Sequence, residues 1–223
     1  MLDWLINIDK ELLLLCNSVH TSWLDNFFWM ISARWLNIFV AIPFIIILVH
    51  RRAKLEAVII ILALALTVLL CDQIASSVFK PIFHRLRPTH EPSLTVYTVN
   101  GYTGGRYGFI SSHAANAFGV AVLLLHIFRN KYFSITILSW AAIVGFSRIF
   151  LGVHYPGDVI CGAVVGIIIG YVVYRLYDKL RVYMCKKGRL PALQNPYALN
   201  GYALFFTFSI IAVIFVIALL ACL

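Results

Sequence analysis

Residues 156–178, PGDVICGAVVGIIIGYVVYRLYD, decide how the rest of the sequence is read. They form an apolar run in which Gly162, Gly166 and Gly170 recur every four residues. A membrane-spanning helix takes about 20 mostly apolar residues. Small residues along one face of such a helix let a neighbouring backbone approach closely. The stretch therefore predicts a transmembrane helix that packs tightly against another helix of the same chain.

The composition of the whole chain agrees with a membrane protein. Hydrophobic residues make up 62% of the 223 residues and charged residues only 12%, whereas about 25% is usual for soluble domains. No break in composition separates a second domain, so we interpret residues 1–223 as a single integral membrane domain. The five cysteines form no CxxC pair, and neither a disulfide framework nor a zinc site is expected.

The apolar segments predict an all-α, polytopic membrane helix bundle of about six transmembrane helices. The predicted spans are 33–50, 55–79, 112–128, 132–150, 156–178 and 199–222. Residues 3–19 differ from them, because Asp3, Asp9, Lys10 and Glu11 interrupt the leucines. Such a segment is typical of a helix that lies in the membrane interface.

The basic residues predict the orientation of the bundle. Clusters of Lys and Arg follow the first, third and fifth spans, and the positive-inside rule places these connections in the cytoplasm. The alternate connections, 80–111 and 148–157, then face the periplasm or the cell exterior. We expect a plasma-membrane protein whose polar motifs lie on that outer side.

Three cations in these outer connections indicate a site for phosphate. Lys80 ends the second span, Arg87-Pro88 follows it, and Arg148 ends the fourth span. A phosphoryl group in transfer carries negative charge on three oxygens, and fixed cations stabilise that charge. Anchoring of a helix end at the interface is the alternative for Lys80 and Arg87.

A serine pair supplies a second element of the site. Ser111, Ser112 and His113 stand where a glycine-rich loop turns into an apolar run. A serine there can cap the helix, and a helix N-terminus also binds anions. His113 at that position can protonate a leaving oxygen.

The third element is a histidine with a carboxylate four residues later. Asp158 in the first turn of the fifth span can hold one ring nitrogen of His154 protonated, which leaves the other free to attack phosphorus. A His–Asp pair that only caps the helix is the alternative. The chain has nine acidic residues, too few near the site for a two-metal cluster, so we expect catalysis without a metal or other cofactor.

These blocks resemble a known family. Lys80-x6-Arg87-Pro88, Ser111-Ser112-His113 and Ser147-Arg148-x5-His154-x3-Asp158 resemble, in order over residues 80–158, the three signature blocks of the type 2 phosphatidic acid phosphatase (PAP2) superfamily. The middle block departs from the usual Pro-Ser-Gly-His, with Ile110 and Ser112 in place of proline and glycine. The resemblance implies His154 as nucleophile, oriented by Asp158, and His113 as the acid. It also implies a phosphate cradle, made of Lys80, Arg87, Ser111, Ser112 and Arg148.

The resemblance implies a lipid phosphatase or diphosphatase of the bacterial inner (plasma) membrane, with membrane lipid and bilayer as partners and no nucleic acid. The leading substrate is undecaprenyl diphosphate. The alternatives are lipid A, at its 1- or 4′-phosphate, and phosphatidylglycerophosphate or phosphatidic acid. Outside this class stand a transporter for anions and a vanadate-dependent haloperoxidase. The oligomeric state is left open.

Further polar residues have less specific readings. Asp72 lies inside the second span, and pairing with an internal cation or tyrosine is the favoured interpretation. Four residues of the outer connection can contact a second phosphate or a sugar head group, or simply be solvated: His84, Arg85, His90 and Arg106.

Overall fold

The computed structural model of the chain describes residues 2–33 and 54–191, with four single positions in the C-terminal segment, 212, 216, 219 and 220. The predicted spans 33–50 and 199–222 fall outside the described residues, apart from residue 33 and these positions. In the part described, three helices are long and apolar enough to cross a membrane. An all-helical fold of membrane type is confirmed, while the count of six spans stays a prediction.

Six helices organise the described residues. They are α1 (Leu2–Cys16), α2 (Ser22–Ser32), α3 (Lys54–Phe83), α4 (Ser112–Phe128), α5 (Lys131–Phe150) and α6 (Pro156–Lys186). Within α3, residues Ile74–Phe79 form a π-helical turn before the last turn, Lys80–Phe83. Single 3-10 turns at Pro88–His90 and Val99–Gly101 shape the long loop between α3 and α4.

Helix α6 is longer than predicted. It continues to Lys186 instead of ending near residue 178, so several basic residues assigned to a loop lie on its last turns. One of them, Arg181, donates from Nε to Glu56 Oε1 of α3 at 2.9 Å, and both side chains are buried. The helix ends just before Gly188, which adopts a positive φ of 67° and terminates it as glycine commonly does.

The glycine ridge of α6 packs against α4, as its spacing predicts. Each glycine faces a backbone carbonyl of α4: Gly162 that of Ser111, Gly166 that of Ala115 and Gly170 that of Gly119. A Cβ at any of the three positions would overlap that oxygen. The missing side chains therefore allow the two backbones to touch, and α4 and α6 form the centre of the bundle.

Helices α3 to α6 alternate in direction, which brings particular helix ends together. At one end, the loop residue Arg129 donates to the hydroxyl of Tyr174 at 2.8 Å, close to the Arg181–Glu56 pair. At the other end, the Ser111 N–H donates to the Asp158 carbonyl at 2.9 Å. This second end collects the C-termini of α3 and α5 and the N-termini of α4 and α6.

Helices α1 and α2 pack on that same end. Asn17, just after α1, donates to the carbonyl of Phe150 at 2.8 Å and accepts the N–H of Tyr97 at 2.8 Å. Helix α1 exposes apolar side chains such as Trp4 and Leu15; its position in a membrane interface stays a prediction. Sequence reasoning missed α2, although Thr21 caps it by accepting the Leu24 N–H.

Candidate active site

Arg87 is buried where the long loop crosses the site end of the bundle. Its Nε donates to the carbonyl of Tyr107 at 3.2 Å and its Nη1 to that of Val153 at 3.5 Å. Gly104 and Gly108 lie against its side chain: a Cβ at Gly104 would collide with Nη1 at 2.5 Å, and one at Gly108 would press on Cγ at 3.2 Å. These contacts hold the guanidinium rigidly, and burial lowers the pKa of Arg87.

Arg148, in the last turn of α5, is 2% exposed. Its Nη1 hydrogen bonds to Ser32 Oγ at the end of α2. Its guanidinium lies 5.7 Å from the ring centre of Tyr102, which in turn lies 5.5 Å from the Trp29 ring. An arginine and two aromatic rings thus form one wall of the site.

Lys80 is half-buried in the last turn of α3, where its Nζ lies 3.4 Å from Ser76 Oγ. The π-helical turn directly before it shifts the register of the helix end, and such turns are frequent at functional sites. Lys80, Arg87 and Arg148 each act on the pKa of His154. The three cations that sequence reasoning proposed therefore lie near enough to one histidine for their charges to act on it.

The serine block opens α4 as expected. Ser111 is its N-cap: the hydroxyl accepts the Ala114 N–H at 3.4 Å, and the residue is fully buried. Ser112 and His113 follow in the first turn and are half-buried. The capping role of Ser111 is thus observed, while phosphate binding by either serine stays a prediction.

His154 is buried in the short connection between α5 and α6. Its backbone N–H donates to the Arg148 carbonyl at 3.2 Å, and its Nδ1 lies 3.4 Å from Asp158 Oδ2. Burial lowers the pKa of His154 well below its ordinary value, and the charges of Arg87, Arg148 and Lys80 lower it further. The imidazole is therefore held neutral, which is the form that can act as a nucleophile.

Asp158 is fully buried in the first turn of α6. Its Oδ2 accepts the Tyr155 N–H at 3.1 Å and faces His154, while its Oδ1 accepts from Arg85 Nη1 at 2.8 Å. The carboxylate caps the helix and orients the imidazole at the same time. The two interpretations of the His154–Asp158 pair, as a helix cap and as catalytic residues, are thus compatible.

Arg85 is not the solvated loop residue that sequence reasoning allowed. It also donates from Nη2 to Asp9 Oδ2 of α1 at 2.6 Å. Burial lowers the pKa of Arg85, but the carboxylates of Asp158 and Asp9 outweigh burial and raise it. Arg85 stands two residues before Arg87 in the sequence, so its place near the site could have been inferred. No local signal predicted that Asp9 and Ser32 also contact the site.

The remaining polar residues that the sequence singled out lie outside the group formed by Arg85, Asp9, Asp158 and His154. His84, His90 and Arg106 are exposed, and the rings of His84 and Tyr107 are 5.0 Å apart. Asp72 is also exposed; among the described residues its carboxylate makes no hydrogen bond or ion pair, although its charge acts on Lys80. Across the same residues, no three His, Cys, Asp or Glu side chains are grouped as metal ligands would be. Independence from metals stays a prediction.

The chain is similar to known proteins both in sequence and in structure. The PAP2 superfamily matches residues 56–181. A lipid A 4′-phosphatase of Porphyromonas gingivalis is 43% identical over 178 residues, which cover 79% of this chain and 75% of that protein. An undecaprenyl-diphosphatase of Bacillus subtilis is 38% identical over 76 residues, which cover 34% of this chain and 38% of that protein.

The fold also matches a solved structure. The crystal structure of LpxE from Aquifex aeolicus superposes with a TM-score of 0.58 at 29% identity. The match covers 74% of this chain and 93% of that one. The three blocks all lie within residues 56–181, and the structure brings them together at one end of the bundle.

Proposed function

Because this chain belongs to the PAP2 superfamily and is an enzyme of its phosphatase type, we propose that it removes the 4′-phosphate of lipid A through attack by His154. The observation that carries the chemistry is the environment of His154. The ring is buried, its Nδ1 faces Asp158, and the charges of three nearby cations act on it. A neutral imidazole beside fixed positive charges suits attack on a phosphate dianion.

The proposed reaction has two steps. Nε2 of His154, the nitrogen turned away from Asp158, forms a bond to phosphorus while the bond from phosphorus to the lipid oxygen breaks. His113 gives its proton to that oxygen, and the lipid alcohol leaves. Water then attacks the phosphohistidine, His113 takes a proton from it, and inorganic phosphate is released with His154 restored.

The cations act mainly on the charge that the transferred group carries. Lys80, Arg87 and Arg148 each have a hydrogen-bond partner within the protein, and charges held in place in this way stabilise a transition state with little reorganisation. Because Arg87 and Arg148 are buried, their interaction with phosphate oxygens is weakly screened by water. The N-terminus of α4 at Ser111 adds backbone N–H groups that favour an anion.

The substrate assignment rests on the relatives and differs from our leading expectation. The lipid A 4′-phosphatase matches most of the chain, while the undecaprenyl-diphosphatase matches about a third of it. The exposed Tyr102 ring beside Arg148 offers an aromatic face next to the phosphate site, against which a sugar ring of lipid A can pack. Lipid A is therefore preferred over undecaprenyl diphosphate.

Purified protein in detergent, given lipid A, undecaprenyl diphosphate and phosphatidylglycerophosphate separately, tests this assignment. We expect phosphate release from lipid A to be the most efficient, with mass spectrometry showing loss of the 4′-phosphate. Full activity in EDTA is expected as well, since no step uses a metal. Preferential hydrolysis of undecaprenyl diphosphate would restore our first expectation and overturn this one.

The role of His154 is tested in the same assay. His154→Ala should lower kcat at least about 1,000-fold, as removal of a covalent nucleophile does. His126→Ala is the matched control, because that half-buried histidine bonds to the Val122 carbonyl near the opposite end of α4. The control should retain wild-type activity. A His154→Ala protein with normal turnover would rule out the mechanism.

A further inference from the structure

Arg85 joins two carboxylates that belong to different helices. Its Nη1 donates to Asp158 Oδ1 at 2.8 Å and its Nη2 to Asp9 Oδ2 at 2.6 Å. The guanidinium also lies 4.0 Å from the ring centre of Tyr155, and the side chain is only 24% exposed. Two charged partners and a ring contact fix the plane of this arginine.

Asp9 is held as firmly as Arg85. Its Oδ1 accepts the N–H of Gly157 at 2.6 Å, in the first turn of α6. A Cβ at residue 157 would come within 2.8 Å of Asp9 Oδ2, so the glycine leaves the room that the carboxylate occupies. A carboxylate at a helix N-terminus satisfies an orphan N–H and is favoured by the helix dipole.

These contacts fix the position of Asp158 Oδ2, the oxygen that faces His154. Asp158 has one oxygen on Arg85 and the other on Tyr155 N–H and His154 Nδ1. If Arg85 rotated, the carboxylate would follow it, and the 3.4 Å approach to His154 would change. Asp9 prevents that rotation because it holds the second arm of the guanidinium.

We propose that Asp9 and Arg85 are positioning residues, and that the N-terminal helix α1 thereby sets the geometry of the Asp158–His154 pair. The proposal rests on the proposed function, since it assumes that His154 is the nucleophile. Neither residue contacts the phosphate in this scheme. Asp9 acts on Arg85, Arg85 acts on Asp158, and Asp158 acts on the imidazole.

A double-mutant cycle in kcat tests this order of action. Asp9→Asn keeps the shape and an acceptor for Gly157 but loses the charge that holds Arg85, and we expect kcat to fall about 10-fold with KM little changed. Arg85→Gln should cost about 100-fold in kcat. If Asp9 acts through Arg85, the double variant should match Arg85→Gln within about twofold, because the two effects do not add.

The neighbouring residue provides a matched control for the docking of α1. Lys10 lies 3.7 Å from Glu91 and donates to Ser93 at 3.2 Å, so it ties α1 to the same loop without reaching the site. Lys10→Met should therefore leave kcat unchanged. Arg85→Lys, which keeps the charge but reaches only one carboxylate, should recover only part of the activity lost in Arg85→Gln.

The outcomes separate this inference from the proposed function. Normal kcat in Asp9→Asn, multiplicative losses in the double variant, or an equal loss in Lys10→Met would each overturn the positioning role. His154→Ala, run in the same assay, tests the proposed chemistry: if it stays active, both ideas fail. Thermal unfolding of every variant in detergent reports how much of the protein is folded. A loss of kcat that merely follows a loss of folded protein would also refute the inference.

Discussion

The buried imidazole of His154 combines two opposing demands at the scale of one residue. A nucleophile must be neutral, while a phosphate site must be positive. Burial and three cations together lower the pKa of His154, so the positive charge proposed to bind phosphate also keeps the proposed nucleophile unprotonated. The carboxylate of Asp158 then serves to orient the ring, at a distance of 3.4 Å from Nδ1.

The lowered pKa predicts the acid side of the pH profile. Protonation of His154 abolishes attack, and the protonated form accumulates only below the lowered pKa. The acid limb of kcat/KM should therefore lie below pH about 6.5, the ordinary value for histidine. Arg87→Gln removes a nearby positive charge and should move this limb to higher pH, whereas Arg87→Lys keeps the charge and should not.

The informative measurement compares the pH profiles of kcat/KM for wild type, Arg87→Gln and Arg87→Lys. The phosphate of the substrate ionises identically in all three assays, so a difference between the profiles reports on the buried His154–Asp158 pair, because the charge of Arg87 acts on both groups. Identical acid limbs for wild type, Arg87→Gln and Arg87→Lys would contradict the electrostatic account of the His154 pKa.

At the scale of elements, the pairing of α4 with α6 assembles the site. Helix α4 brings Ser111 to the first turn of α6, where its N–H meets the Asp158 carbonyl. The glycines of α6 permit this approach because each one faces a carbonyl of α4. The same close contact that stabilises the bundle therefore sets the distance between the serine block and the histidine block.

Gly166→Val tests that contact. The new side chain would overlap the Ala115 carbonyl, and overpacking of this kind costs about 1–3 kcal/mol. We expect a lower midpoint of thermal unfolding in detergent and reduced phosphate release. Gly105→Ala is the control, because nothing lies within 4 Å of a Cβ at that position. An unchanged midpoint in Gly166→Val would show that the helices tolerate separation.

At the scale of the whole molecule, the alternating helices separate two ends of the bundle. We call the end that holds the candidate active site the catalytic end, and the end with Arg129 and Arg181 the basic end. Arg85, Asp158 and Ser111 meet at one end, and Arg129 and Arg181 lie at the other. The positive-inside rule predicts that the catalytic end faces the periplasm. A lipid substrate would then enter from the outer leaflet of the inner membrane.

Cysteine labelling in intact cells tests this orientation. In a chain without its native cysteines, Ser93→Cys at the catalytic end should react with a maleimide that does not cross the inner membrane. Lys187→Cys, at the basic end and equally exposed, should react only after the membrane is disrupted. The reverse pattern of labelling would place the site in the cytoplasm.

The sequence by itself determined the parts of this protein that depend on local order. Apolar periodicity predicts the helices, glycine spacing predicts the α4–α6 contact, and residue type identifies His154 and its surrounding cations. The ends of α3 and α6 were less predictable, because a π-helical turn and a buried Arg181–Glu56 pair extend them.

Only the tertiary structure decided which distant side chains complete the site. Asp9 and Arg85 are 76 residues apart, and Ser32 and Arg148 are 116 apart, yet both pairs are in contact. Periodicity carries no information at such separations, because these contacts depend on how α1 and α2 pack against the bundle. Residue chemistry thus predicted His154 as the nucleophile, whereas packing determined which side chains hold it in place.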